Sequence, residues 1–153
     1  MLTGAEWDAW RSFSSMRRRL DRALELELQH DSAVSLPEFE ILFALSDAPG
    51  GQLRIKDIAQ HIDWEKSRVS HQVSRLEKRG LVTRRLCETD ARGWWVTLTA
   101  AGSHTVSDAV RAHRGALRRY FFDVLEEGEE LNLNDLSTRV VDAIGTSAVR
   151  QDA

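Results

Sequence analysis

The sequence predicts a mainly α-helical chain with a small β-hairpin wing, a winged helix-turn-helix carrying long helices at both ends. Three observations predict it. Apolar residues recur at helical spacing over most of the chain. A polar helix over 65–79 runs straight into two strand-like segments, Leu81–Leu86 and Trp94–Leu98, rich in Val, Thr and aromatics. Thr99, a residue suited to cap a new helix, follows the second segment at once.

Each element has its own signal. Phe13, Met16, Leu20, Leu24 and Leu28 mark a long helix over 6–29, with the basic run Arg17-Arg18-Arg19 between them. Ser35-Leu36-Pro37-Glu38 is a helix start: Ser35 caps, Pro37 fits the first turn and Glu38 closes a capping box. That helix carries Phe39, Leu42 and Leu45 and stops before the turn Ala48-Pro49-Gly50-Gly51. A short helix over 54–62 turns Ile55, Ile58, Ala59 and Ile62 inward, and Asp63 and Trp64 connect it to the next. Val69, Val73 and Leu76 form the buried side of the helix 65–79, and Gly80 suits its left-handed cap. A long helix is expected from Thr99 to about Glu126. The acidic stretch 126–130 should break it, and a last helix should span 134–144 with Leu136, Val140 and Ile144 on one face. The expected organisation is one domain over 1–153, with a head over 35–98 and dimerisation helices over 6–29 and 99–146. The stripe Val106, Val110, Leu117, Phe121 and Leu125 supports a dimer, being more apolar than one short partner requires.

Bulk properties narrow the class. No apolar run is long enough to span a bilayer, and the N-terminal segment carries acids, unlike an export signal. One cysteine excludes an internal disulfide. A cytoplasmic protein without membrane partner is expected. The formal net charge of −3 argues mildly against a polyanionic partner. Its distribution argues the other way: residues 54–98 hold ten Lys/Arg and six Asp/Glu, a net of +4, and the remainder carries −7. No glycine-rich phosphate loop, nucleophile motif or clustered acid–base set points to an enzyme.

The helix 65–79 has the chemistry of duplex DNA reading. Ser67, Arg68, Ser70 and His71 combine long donors with small hydroxyls near the helix start, which suits base edges in the major groove. Arg54, Lys56, Arg75, Arg84 and Arg85 are expected to meet the phosphate backbone, which positions without specifying sequence. Arg92 at the hairpin tip suits the minor groove, with Asp90 orienting its guanidinium. The bland alternative is a solvated basic face, in a winged helix that binds protein rather than DNA.

Residues Leu53 to Gly102 resemble the MarR family of bacterial transcriptional regulators. The resemblance rests on LRIKDIAQHI, on RLEKRGLV (Arg75–Val82), on the wing Asp90-Ala91-Arg92 and on LTAAG (Leu98–Gly102). It implies a twofold dimer on a pseudopalindromic operator, repressing transcription until a small aromatic or phenolic effector binds. It carries base contacts to Ser67, Arg68, Ser70 and His71, and the wing pair to Arg92 and Asp90. His71 stands where arginine is common in the family, so a contact there would be weaker or pH-dependent.

The sensor chemistry is less sharply written. Trp10, Phe13, Phe39 and Phe43 are candidates for an effector pocket, with Arg17 placed to meet a ligand carboxylate; plain core is the competing reading. Cys87 lies beside Glu88, which disfavours its thiolate, and reads as inert. His30, His61, His71, His104 and His113 show no i, i+4 pairing among themselves, so no metal and no cofactor is expected.

Overall fold

A computed structural model of the chain describes residues 1–86 and 93–149. Cys87, Asp90 and Arg92 lie outside the described residues. The chain divides into two compact units, Met1–Ala116 and Leu117–Ala153.

The first unit begins with α1, Gly4–Ser32. Thr3 caps it in a capping box with Glu6, two residues earlier than the hydrophobic pattern indicates. Ala33 ends it in the left-handed region at φ 54°. α2, Leu36–Asp47, starts with the Ser35–Glu38 capping box expected from the sequence. It is the central helix, with Phe39, Ile41, Leu42, Ala44 and Leu45 all buried. A 3-10 turn over Pro49–Gly51 leads into β1, Gln52–Arg54, and then α3, Ile55–His61. β1 has only three residues, too few to show the period-two alternation by which a strand is recognised.

α4, Lys66–Lys78, buries Val69, Val73 and Leu76 as their spacing predicts. Gly80 follows at φ 73°. β2, Val82–Leu86, and β3, Trp94–Leu98, form the hairpin, and β1 pairs with β3 on the other side, giving the order β1-β3-β2, all antiparallel. One continuous core joins Leu28 of α1 to Leu42 and Leu45 of α2, Ile58 of α3, Leu76 of α4 and Val96 of β3. α5, Ala100–Tyr120, contributes Val106 and Ala109 to that core, with Val110 packed against it. Val106 and Val110, read from the sequence as part of a dimer stripe, therefore belong to the core of their own chain.

A compact junction fixes the start of α5 to the end of α4. The Thr99 hydroxyl accepts from the Gly102 amide at 3.0 Å, capping the helix, and donates to the Gly80 carbonyl at 2.7 Å. The Thr99 amide donates to the Leu81 carbonyl at 3.1 Å. A Cβ at position 102 would run into that same carbonyl oxygen. This approach explains physically why the segments R-G-L-V and L-T-A-A-G belong together.

In the second unit α5 ends at Tyr120, short of the expected Glu126, and a 3-10 turn spans Phe122–Val124. α6 runs over Glu129–Val149, longer than the expected 134–144. The acidic stretch begins this helix as well as ending the previous pattern. Glu129 accepts from the Glu126 amide at 2.8 Å, and Glu129 and Glu130 sit in the first turn, where carboxylates are favoured.

Candidate nucleic-acid interface

The hairpin register decides which cations share a face. Arg54, Trp95 and Arg85 are abreast across the three strands, as are Leu53, Val96 and Arg84. Side chains alternate along a strand, so the two rows lie on opposite faces of the sheet. Val96 is fully buried, which makes the second row the inner one. Arg84 thus points towards α4. Its guanidinium meets the Glu77 carboxylate at 2.6 and 2.8 Å, and its backbone amide donates to the same group. That bond and charge hold the Glu77 carboxyl below its ordinary value. Arg85, expected in the same role as Arg84, is exposed on the outer face.

On α4, a step of 100° per residue places Ser67, His71, Ser74 and Lys78 opposite the buried line Val69–Val73–Leu76. Ser67, His71 and Lys78 are exposed along that outer line. The Ser74 hydroxyl donates to the Ser70 carbonyl at 2.9 Å and so remains on its own helix. Arg68 and Arg75 occupy one flank and Ser70 the other. The guanidinium carbon of Arg68 lies 3.5 Å from the centre of the Trp64 ring. The set expected to read bases is therefore split: Ser67 and His71 face outward, with Arg68 and Ser70 on either side of them.

Ser67 and Ser70 line a groove of about 490 Å³ with Arg54, Ile55, Lys56, Lys66, Gly93 and Trp94. It brings together the start of α4, the β1–α3 junction and the base of the wing. Among the described residues, the charged side chains that line it are all cationic. Such a groove suits a phosphate: three cations supply charge and two hydroxyls supply directed hydrogen bonds. Lys66 was not singled out from the sequence. Its signal is its position immediately before Ser67, visible only once the helix start is fixed. Arg54 also lies over the Trp95 ring at 5.1 Å.

The aromatic candidates fall into two pairs. Trp10 and Phe13 pack at 5.9 Å on α1, both exposed, and Arg17 one turn further on is exposed too. Phe39 and Phe43 stack at 5.7 Å on α2. Phe39 also meets the His113 ring at 4.8 Å, a partner the sequence did not reveal. His113 Nδ1 is buried without a hydrogen-bond partner, and burial pushes the imidazole below its ordinary value. Among the described residues no cluster of three or more His, Cys, Asp or Glu is arranged to hold a metal ion.

The comparisons with known proteins agree with this architecture. A family model described as MarR family matches residues 34–93. The chain is 33% identical to AbsC, a MarR family transcriptional regulator from Streptomyces coelicolor, over 95% of this chain and 98% of that one, with a TM-score of 0.89. A second MarR family regulator from the same organism, solved in complex with DNA, is 31% identical over 94% and 90% of the two chains, also with a TM-score of 0.89. PcaV, a transcriptional regulator of that organism solved with its natural ligand, is 26% identical over 84% and 90%, with a TM-score of 0.71. A search among curated proteins found no match. With a family model on the head and identity above 30% along nearly the whole length, the chain belongs to the MarR family of transcriptional regulators.

Proposed function

We propose that the protein is a cytoplasmic transcriptional repressor that binds a pseudopalindromic DNA operator as a homodimer and releases it on binding a small aromatic effector, with no catalytic role. The observation that carries the reading is the groove at the start of α4, where Arg54, Lys56 and Lys66 gather beside the exposed line of Ser67, His71 and Lys78. The similarity to a regulator solved with DNA supports the same partner. No described helix is long and apolar enough to cross a membrane.

In this reading Ser67 and His71 read base edges, with Arg68 and Ser70 beside them. Arg54, Lys56, Lys66 and Arg85 hold phosphates, and Arg75 meets the backbone from the flank. Arg84 ties the wing to α4. Asp90 and Arg92 keep the minor-groove role that the family resemblance gives them. The head spans 35–98, and the helices over 6–29 and 99–146 build the dimer. The effector site is assigned to Trp10, Phe13, Arg17, Phe39 and Phe43, with His113 beside Phe39. The similarity to PcaV, solved with its natural ligand, supports an effector of this kind.

The test is titration of the protein against duplex DNA at two salt concentrations, followed by sequencing of duplexes selected from a random pool. Repression requires a selected sequence with two related half-sites and an affinity that falls steeply with salt. Absence of binding to any duplex at low salt would leave the protein-binding winged helix as the better account.

A further inference from the structure

Trp64 does more than connect α3 to α4. Its amide donates to the Ala59 carbonyl at 2.9 Å, and Asp63 before it turns the chain at φ 54°. The half-buried indole packs against the core of the head. Backbone and ring are therefore both fixed. Over that ring lies the Arg68 guanidinium at 3.5 Å from its centre, the separation of a stacked pair.

Arg68 has a competing partner. It lies on the same flank of α4 as Arg79, whose guanidinium pairs with Glu38 of α2 at 2.8 Å. Glu40 of α2 is half-buried; burial raises its carboxyl above the ordinary value, and the Arg68 charge opposes that rise. A flexible arginine on this flank would turn towards α2. Stacking engages the face of the guanidinium and leaves its N–H edge donors available in one plane. Bidentate recognition of guanine O6 and N7 needs that planar fork.

We propose that Trp64 is a positioning residue for base recognition: its indole sets the plane of the Arg68 guanidinium against the pull of Glu40, and so fixes which operator base Arg68 reads. The inference rests on the DNA-binding function proposed above.

The experiment selects duplexes from a pool with a randomised centre, using the parent protein, Trp64→Leu, Trp64→Phe, Arg68→Ala and Glu40→Gln. Binding to the selected duplex and to a scrambled one is then measured. Trp64→Leu and Arg68→Ala should lose preference at the same position of each half-site. Trp64→Leu should bind the selected duplex about 10-fold more weakly, the size of one base contact, and the scrambled duplex about as well as the parent. Trp64→Phe, which keeps an aromatic face, should restore the preference. A parental base profile in Trp64→Leu, or equal losses on both duplexes, would overturn the proposal. Glu40→Gln leaves the indole in place and must keep the preference. Its relaxation would assign the orientation to Glu40 instead, and would overturn the role of Trp64 even if Trp64→Leu does not fold. If the parent selects no sequence, the DNA-binding reading fails and the positioning role with it. If the parent selects one and the variants do not differ, only the role of Trp64 fails.

Discussion

The head and the terminal helices spend their apolar residues differently. In the head, Ile41, Leu42, Leu45, Ile58, Val69, Val73, Leu76, Val82 and Val96 are fully buried. In α6, Leu136, Val140 and Ile144 recur at helical spacing yet remain 49%, 50% and 65% exposed. The N-terminal half of α1 is similar, with Trp7, Trp10, Phe13 and Met16 exposed. The head satisfies its own hydrophobic pattern. These stretches of the terminal helices carry a pattern of the same quality that stays exposed among the described residues, as the dimer proposed above requires. Exposed apolar residues recurring on one helix face suit an interaction face.

Stability measurements probe that contrast directly, and Gly102, where α5 meets the head, should respond most. With the Leu81 carbonyl in the way of a Cβ and the Leu98 side chain 3.2 Å from it, Gly102→Ala must push α5 off the α4–wing turn. We expect a loss of about 3 kcal/mol or more, read by thermal unfolding monitored by circular dichroism. A variant as stable as the parent would mean that the junction yields easily.

Glu38 comes next. Its buried carboxylate bonds to Arg79 at 2.8 Å and to the Ser35 amide and hydroxyl at 3.0 Å. Burial works against its charge, but the bonds from Ser35 and Arg79 prevail and hold the carboxyl below its ordinary 4.5. Glu38→Ala should cost about 2 kcal/mol near neutrality. Because the folded value is depressed, this contribution is complete above about pH 4.5 and is lost as pH falls through the folded value. His113 adds an earlier decline. The folded protein holds it neutral and the unfolded chain takes up a proton near 6.5, so stability should drop as pH falls below that point. Urea unfolding from pH 7 to 3 checks both, and the lower step should shrink in Glu38→Ala. An unchanged pH profile in the variant would remove Glu38 from the account.

Arg84 and Arg85 form a smaller and more discriminating pair. Arg84→Ala should destabilise the head by about 0.5–1 kcal/mol through loss of Glu77 and leave DNA affinity nearly intact. Arg85→Ala should leave stability alone and lower the salt dependence of DNA binding by ~1 per phosphate contact. The reverse pattern would move the phosphate face to the inner side of the sheet.

Val140→Lys should disturb the chain's own fold least. A half-exposed position on α6 should tolerate the change within about 0.5 kcal/mol. Light scattering at micromolar concentration should nonetheless show the dimer weakened or lost, because a charge then faces apolar surface on the second copy. A dimer indifferent to this substitution would take α6 out of the interface.

Most elements were legible because each carries a local signal. The capping box at Ser35–Glu38, the left-handed Gly80 and the Thr99 cap act within three residues, and the register of Val69, Val73 and Leu76 within two turns. β1 was missed because three residues show no period. The start of α6 was misplaced because Glu129 and Glu130 read as a charged break, although carboxylates favour a helix N-terminus. The fate of Val106 was misjudged because an apolar stripe does not say what covers it.

Periodicity, caps and charge are properties of neighbouring residues, and they were enough to specify the winged helix-turn-helix, the basic segment 54–98 within an acidic chain and the outward face of α4. Which cation meets which acid was settled at the tertiary level alone. Folding turned Arg84 inward to Glu77, gathered Arg54, Lys56 and Lys66 into one groove, set His113 against Phe39, and laid Arg68 over Trp64. Those pairings depend on the register of the sheet and on the flank of each helix that meets its neighbour, relations fixed by packing between segments distant in the chain.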